Sequence, residues 1–357
     1  MAVMQTVNDH DDIRWQRRAL RLAQRALGLC SPNPMVGAVL VRDGELVGEG
    51  YHHQAGAPHA EPLALAQAGE RARGATLYVT LEPCSTWGRT PPCTDAIIKA
   101  GVKRVVVGCM DQNPKHAGAA VSKLRNAGIE VRCNVLEESC RRLNEAFFFW
   151  VTQQRPFVCL KMAMTLDGRI ATASGQSQWI SGPVARRTVQ KMRRWADAVM
   201  AGGDTVRQDD ASLQVRTPAN WPRQPLRIVW TSAPALPPEL KMLNDGGPKP
   251  ILAKPRSRDE WLDFLTALAR HEQRPVTALL LEGGGELAAS ALRAGIVNKV
   301  AFFVAPKLLC GRGSRPVVGG DNPQELAEAL ELINMRSRTV GDDLLITGYC
   351  KDVYRLG

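Results

Sequence analysis

Four side chains within one short stretch constrain this chain more than any others. They are His59 and Glu61 in Pro58-His59-Ala60-Glu61, Cys84 in Glu82-Pro83-Cys84, and Cys93 in Pro91-Pro92-Cys93. One imidazole and two thiolates can hold a zinc ion and leave its fourth position open, the arrangement of catalytic rather than structural zinc. Any fold must therefore carry residue 59 to residues 84 and 93, and local signals say how. A helix is expected from about Pro58 to Ala68, with Pro62 in its first turn, where a missing N–H costs little. Thr76 to Leu81 reads as a β-branched, apolar strand running into Glu82-Pro83-Cys84, and Pro91-Pro92-Cys93 opens another helix that stops at Gly101. His59 at a first helical turn and the two cysteines at loop-to-helix entries would feel partial positive charge, which favours thiolate over thiol. Glu61 is placed to handle protons rather than to bind metal. A closed site would want a fourth ligand; His52, His53 and Cys109 are the candidates, and none has ligand-like spacing from the others.

The flanking segments supply a sheet to hold these helices. Asp12 to Leu27 reads as an amphipathic helix closed by Gly28. Ser31-Pro32-Asn33-Pro34 then forces an extended or turn path. Val36–Val41 and Glu45–Tyr51 read as strands joined at Asp43-Gly44, a strong hairpin signal. After Gly101 come a strand over Val102–Cys109, a helix around Ala119–Ala127, a strand over Ile129–Cys133 and a helix over Asn144–Val151. The order β-β-α-β-α-β-α-β predicts an α/β fold with a mixed sheet and helices on both faces. Polar Thr152-Gln153-Gln154-Arg155-Pro156 marks the domain boundary, giving domains over 1–152 and 153–357.

A second α/β pattern follows. Strands are expected at Phe157–Lys161, Asp197–Ala201, Leu226–Trp230, Thr277–Leu281 and Lys299–Val304, with surface loop around a short strand over Ala233–Pro255. Glu282-Gly283-Gly284-Gly285-Glu286-Leu287 joins a buried strand to a helix, which suits close approach of a phosphate to backbone N–H groups. It is not the G-x-G-x-x-G fingerprint, and a plain turn explains it as well.

With 357 residues the chain can hold two domains. No apolar run reaches the roughly 20 residues that span a bilayer, and the N-terminus lacks the basic-then-apolar order of a secretory signal, so the cytoplasm is expected. Nine cysteines are too scattered for a disulfide scaffold; Cys30, Cys109, Cys133, Cys140, Cys159, Cys310 and Cys350 are expected as small buried hydrophobes. A net charge of +11 permits acidic partners from phosphorylated metabolites to nucleic acid. Its densest cluster, Arg186-Arg187 through Lys191, Arg193 and Arg194, reads as a solvated helix face.

H-x-E with P-C-x-x-C is the signature of zinc deaminases acting on nucleobases, and this chain departs from it in the longer Cys84-to-Cys93 spacing. Residues 12–152 resemble the cytidine-deaminase superfamily, and within it the deaminase half of bifunctional riboflavin-biosynthesis deaminase/reductases. The resemblance rests on Pro32-Asn33-Pro34, Gly50-Tyr51-His52, His59-Ala60-Glu61, Thr80-Leu81-Glu82-Pro83-Cys84, Gly88-Arg89-Thr90-Pro91-Pro92-Cys93 and Asp111-Gln112-Asn113-Pro114. The Gly88-to-Cys93 insertion separates this family from free-nucleoside deaminases. The resemblance implies one zinc per chain on His59, Cys84 and Cys93, Glu61 as the proton-relaying residue, and Asn33, His52, Arg89, Asp111 and Asn113 as contacts to the pyrimidinone or its ribose phosphate. Thr86 and Leu63 stand where the family usually carries histidines; Thr86 is expected beside the substrate and Leu63 in packing.

Lys161-Met162-Ala163-Met164-Thr165-Leu166-Asp167-Gly168-Arg169-Ile170, Ser177-Gln178-Trp179-Ile180, Gly203-Asp204-Thr205-Val206 and Ala305-Pro306-Lys307-Leu308-Leu309 resemble the reductase half, which implies a dihydrofolate-reductase-like domain. By that likeness Ala163, Trp179, Thr205, Asp209 and the Gly284, Gly285, Glu286, Leu287, Ala288, Ala289, Ser290 loop would hold NADPH. Ser177, Arg193, Leu213, Arg216 and Glu282 would hold the substrate, with Lys161 and Asp167 as polar neighbours of the hydride. Ala211 replaces a usual proline and is expected to loosen its loop. The resemblance implies small phosphorylated pyrimidines as substrates, no nucleic-acid or membrane partner, and a homo-oligomer. The family deaminates 2,5-diamino-6-(ribosylamino)pyrimidin-4-one 5′-phosphate and reduces the ribosyl chain of 5-amino-6-(5-phosphoribosylamino)uracil. Two rivals remain at this level: a nucleic-acid-editing deaminase, and a zinc-stabilised binding module without activity.

Overall fold

A computed structural model describes residues 2–87, 91–113, 118–272, 274–321 and 323–351. The chain divides into two compact units, Met1–Gln153 and Gln154–Gly357. In the first, the elements in order are α1 (Ala2–Ala23), β1 (Gly37–Arg42), β2 (Glu45–Tyr51), α2 (Ala60–Ala68), β3 (Thr76–Leu81), α3 (Cys93–Lys99), β4 (Arg104–Cys109), α4 (Ala119–Asn126), β5 (Glu130–Arg132), α5 (Glu137–Leu143) and α6 (Glu145–Gln153). The expected elements recur in order, with α5 as an unexpected helix between β5 and α6. The first helix starts at Ala2 rather than Asp12, since no glycine or proline interrupts the residues before Asp12. Gly28, at φ 75°, turns the chain beyond its last 3-10 turn.

The sheet order is β2-β1-β3-β4-β5. The hairpin β1–β2 is antiparallel, and its turn residues Asp43 and Gly44 have φ of 52° and 78°, the positive values of a type I′ turn. From β3 onward the pairing is parallel. Alternating strand residues feed two cores. Ala38, Leu40, Leu77, Val79, Val105 and Val107 pack under α2, α3 and α4. Val39, Val41, Tyr78 and Val106 pack under Trp15, Ala19 and Leu22 of α1.

The second unit contains β6 (Phe157–Thr165), β7 (Arg169–Ala171), α7 (Pro183–Trp195), β8 (Ala198–Gly202), α8 (Gly203–Asp209), β9 (Leu226–Trp230), α9 (Lys241–Asn244), β10 (Ile251–Ala253), α10 (Arg258–Ala269), β11 (Ala278–Glu282), α11 (Gly285–Arg293), β12 (Lys299–Ala305), β13 (Arg315–Pro316), β14 (Leu332–Val340) and β15 (Asp343–Cys350). Its main sheet runs β10-β9-β8-β11-β6-β12-β15-β14. The first six strands are parallel, and β15 and β14 add an antiparallel hairpin. Both faces are covered: Leu279 and Leu281 of β11 meet Trp261 and Leu265 of α10 and Leu287 of α11, while Leu280 meets Val189 of α7 and Val206 of α8. Strands buried on both faces have no alternation, which is why they read as continuous apolar runs.

Cys310 is exposed and Cys133 half-buried, so the expectation of buried thiols fails at those two. On α7, Arg187 and Lys191 are exposed as expected of a solvated face, but Arg193 is buried. Among the described residues no helix is long and apolar enough to cross a membrane.

Candidate active sites

The metal-ligand candidates come from three places on the first sheet. His59 caps the N-terminus of α2, Cys93 is the first residue of α3, and Cys84 follows β3. What brings α2 onto β2 is the absence of side chains: a Cβ on Gly50 would lie 2.6 Å from Leu63 Cβ and 2.7 Å from the Ala60 carbonyl oxygen. Ala60, Ala64 and Ala68 form the facing stripe of the helix. Leu63 thus occupies a packing position over Gly50.

The donors converge. His59 Nδ1 lies 3.2 Å from Cys93 Sγ and 3.6 Å from Cys84 Sγ, and all three donor atoms fall within 4.8 Å of one another. Ligands around one tetrahedral zinc stand roughly 3.5 Å apart, given bonds of about 2.0–2.3 Å. The donor set therefore fits zinc, and among the described residues no other group of His, Cys, Asp and Glu side chains does. Cys84 lies in a loop rather than at a helix start, but its sulfur accepts a hydrogen bond from the Cys93 backbone N–H at 3.2 Å. Hydrogen bonding from the Cys93 thiol, against the cost of burial and aided by His59, draws Cys84 well below the ordinary thiol value. Glu61 is 3% exposed, and burial, with the Cys84 sulfur nearby, pushes its carboxyl up to about 7.

A pocket of about 240 Å³ opens onto His59, Glu61 and Cys84, lined also by Asn33, His52, Asp111 and Asn113, with Val36, Leu81 and Phe147 as apolar wall. That volume suits a single small ring system. The sequence expected all four polar residues at a substrate; the fifth, Arg89, lies outside the described residues. His52 has both ring nitrogens engaged, Nε2 with Asn33 Nδ2 at 3.0 Å and Nδ1 with the Pro58 carbonyl at 3.1 Å. Burial lowers its pKa, with the Pro58 hydrogen bond acting against it. A neutral His52 thus braces Asn33. Thr86 is exposed and does not line the pocket.

Glu82 was read only as part of a motif. It is 4% exposed, and its carboxylate accepts from the backbone N–H groups of Asp111 (3.3 Å), Gly118 (3.1 Å) and Ala120 (3.2 Å). One side chain thereby ties both ends of the segment carrying Asp111 and Asn113 to the loop that carries Cys84. Its place immediately before Pro83-Cys84 is the signal that could have found it.

In the second unit a cleft of about 1090 Å³, roomy enough for a dinucleotide beside a second ligand, lies along the carboxyl ends of the parallel strands. Ligands of open parallel sheets bind there. Of the expected residues Lys161, Ala163, Ser177, Trp179, Arg193, Thr205, Asp209, Leu213, Arg216, Glu282 and Gly284 to Leu287 line it. Ala288, Ala289 and Ser290 do not: the two alanines are core, and Ser290 Oγ takes the Trp261 indole N–H at 3.1 Å. Asp167 is also elsewhere, accepting from Thr165 Oγ1 and the Leu309 and Cys310 N–H groups. Gly283 and Gly284, at φ 69° and 87°, turn the β11–α11 junction so that it passes bare of side chains beside Thr205. That bare junction fits a dinucleotide's phosphates.

Arg193 is committed within the protein. It pairs with Glu282 through two bonds of 2.7 and 2.9 Å and donates to the Gln214 carbonyl at 2.8 Å. Arg216, exposed beside that pair, has no ion pair among the described residues. Burial holds Lys161 below the ordinary lysine value, and Glu282 opposes this. The loop after Ala211 is not loose. Arg227 holds the Ser212 carbonyl, Arg193 that of Gln214, Gln224 both the N–H and carbonyl of Val215, and Gln190 the Arg216 N–H. No sequence signal marks Gln190 or Gln224, because their partners are backbone groups, which carry no side-chain pattern.

Comparison with known proteins gives the following. Residues 9–109 match the family described as cytidine and deoxycytidylate deaminase zinc-binding region, and residues 156–346 match the RibD C-terminal domain. The riboflavin biosynthesis protein RibD of Synechocystis sp. is 45% identical over 93% of this chain and 95% of its own length; that of Aquifex aeolicus is 42% identical over 94% and 97%. Among solved structures, Acinetobacter baumannii RibD has a TM-score of 0.84 at 38% identity, covering 96% of this chain and 99% of its own. A Thermotoga maritima protein titled diaminohydroxyphosphoribosylaminopyrimidine deaminase/5-amino-6-(5-phosphoribosylamino)uracil reductase has 0.84 at 34%, with the same coverage.

Proposed function

This chain belongs to the RibD family of riboflavin-biosynthesis enzymes, and from that premise we propose which residues carry its two reactions. The protein is a bifunctional enzyme, a zinc-dependent deaminase and an NADPH-dependent reductase. Deamination belongs to the first unit and reduction to the second. The deaminase replaces the amino group at C2 of 2,5-diamino-6-(ribosylamino)pyrimidin-4-one 5′-phosphate with oxygen from water, releasing ammonia. The reductase then converts the ribosyl chain of 5-amino-6-(5-phosphoribosylamino)uracil to ribityl. We place both in the cytoplasm and expect a homo-oligomer without nucleic-acid partners.

The observation that carries the deaminase reading is the convergence of His59 Nδ1, Cys84 Sγ and Cys93 Sγ, with His59, Cys84 and buried Glu61 lining a ring-sized pocket. Zinc held there would supply Lewis acidity to a water molecule. Glu61 takes the proton from that water and delivers it to the departing nitrogen; one carboxyl does both because the proton is only relayed. Burial raises the Glu61 carboxyl above its ordinary value, which suits a group that must both take and return a proton. Asn33, braced by His52, and Asp111 with Asn113, held by Glu82, orient the ring. In the second unit NADPH supplies the hydride, and the glycine junction and Thr205 hold its phosphates. Lys161 and Arg216 face the phosphorylated substrate, and Glu282 with Arg193 fixes that wall.

The test is paired measurement of ammonia release and NADPH oxidation, with zinc by elemental analysis. In Glu61→Gln, ammonia release should fall by about 10²–10⁴-fold with zinc retained, while reduction of supplied deaminated substrate is unchanged. Ammonia release that survives this substitution, or a protein without zinc, sinks the deaminase assignment.

A further inference from the structure

The cleft of the second unit has a cation that the two reactions leave without a task. Lys254 follows β10 directly, and Ala253 pairs with Trp230 at the carboxyl end of β9, so Lys254 and Thr231 stand side by side on the cleft's rim. Its ammonium sits over the Trp230 ring, 4.9 Å from the centroid, and the ring is fixed by its N–H to the Pro255 carbonyl at 3.0 Å. Among the described residues no carboxylate pairs with Lys254. The acids lining that end are engaged elsewhere: Asp204 with Arg207 at 2.6 Å, Asp210 with Lys241 at 2.9 Å, and Asp245 with Arg227 at 2.8 Å. An aromatic face positions this charge without neutralising it, so it remains available to an anion.

The sheet order says which anion. From Lys254 inward the strand ends come as β9, β8, β11, β6. The bare glycine junction stands at β11, and Lys161 and Ala163 lie on β6. From β9 to β6 is three strand spacings of about 4.8 Å, or ~14 Å. That is the reach of an extended dinucleotide whose pyrophosphate crosses at the glycine junction and whose nicotinamide lies over β6. Its adenosine ribose then falls at the ends of β9 and β10.

Resting on the NADPH-reductase reading above, we propose that Lys254 binds the 2′-phosphate of the dinucleotide and sets the preference for NADPH over NADH. Arg207, already paired with Asp204, is the secondary cation at that end.

The protein, with both units present, is titrated calorimetrically with 2′,5′-ADP and with 5′-AMP. Wild type should bind 2′,5′-ADP more tightly. Lys254→Gln should weaken 2′,5′-ADP by about tenfold or more with 5′-AMP unchanged, and Lys254→Arg should keep most of the affinity. In turnover, Lys254→Gln should raise KM for NADPH by the same factor, leaving kcat and the NADH KM unaltered. The proposal is overturned if wild type does not discriminate between the two nucleotides, if Lys254→Gln weakens both equally, or if Arg207→Gln rather than Lys254→Gln removes the preference. Failure of wild type to oxidise NADPH with substrate present would instead sink the reductase reading, which the nucleotide titrations do not depend on.

Discussion

Glu82 and Glu282 are buried carboxylates, one lining each pocket, and each has a testable consequence at the scale of one side chain. The Glu82 carboxylate satisfies three backbone N–H groups. An amide offers one acceptor and turns its NH₂ toward the remaining donors, a mismatch that costs ~1–3 kcal/mol per unsatisfied buried group. Glu82→Gln should therefore raise KM for the pyrimidinone phosphate by about tenfold or more, with zinc content and reductase activity unchanged. If the KM stays put, the segment is held by other means. Glu282 bears on pH dependence. Burial lowers Lys161, and the Glu282 charge holds it up. Removing that charge makes the ammonium less stable, so the lysine loses its proton at lower pH. In Glu282→Gln the alkaline limb of the reductase pH profile should move to lower pH. A shift upward, or none, would dissociate Lys161 from the reaction.

At the scale of elements, the α2–β2 contact fixes where His59 stands. Gly50→Ala places a methyl 2.7 Å from the Ala60 carbonyl oxygen, a backbone atom that cannot rotate away. Overpacking of this kind costs ~1–3 kcal/mol. The variant should melt earlier in its first unit and lose zinc to a chelator sooner, and Leu63→Ala should not restore it. The same contact shows why much of this site was legible. Glycines in β2, an H-x-E at a helix start and a proline before a cysteine are local signals for local geometry. The strands β6, β8 and β11 were legible too, because covering both faces makes them unbroken apolar runs. The hairpin β14–β15 was not: β14 lies at the sheet's margin and reads Arg-Ser-Arg-Thr, with its side chains mostly exposed. Helix α10 was also missed although Ser257, accepting the Glu260 N–H at 3.2 Å, caps it in a Ser-x-x-Glu pattern. What no pattern could give is the use of each charge. Arg193 and Arg216 look alike in sequence, yet one is spent on Glu282 and the other faces the cleft.

At the scale of the whole molecule, each unit has its own sheet and its own cores, so one activity can be removed without the other. The sheet of the second unit also has a consequence for how copies of the protein behave in company. Its eight strands leave two margins, and they are finished differently. β10 is three residues long, too short to template a neighbour, whereas β14 runs nine residues with one side unpaired among the described residues. Long unpaired margins invite strand addition by another chain, and charged side chains are a usual guard. Arg336 and Arg338 stand on β14 beside exposed Leu332 and Met335. Exchanging both arginines for valine should leave the fold and both activities in place at low concentration, yet bring turbidity and thioflavin-positive aggregates on warming, where the parent stays clear. The polarity that hid this strand from sequence reading is then what keeps the protein from polymerising.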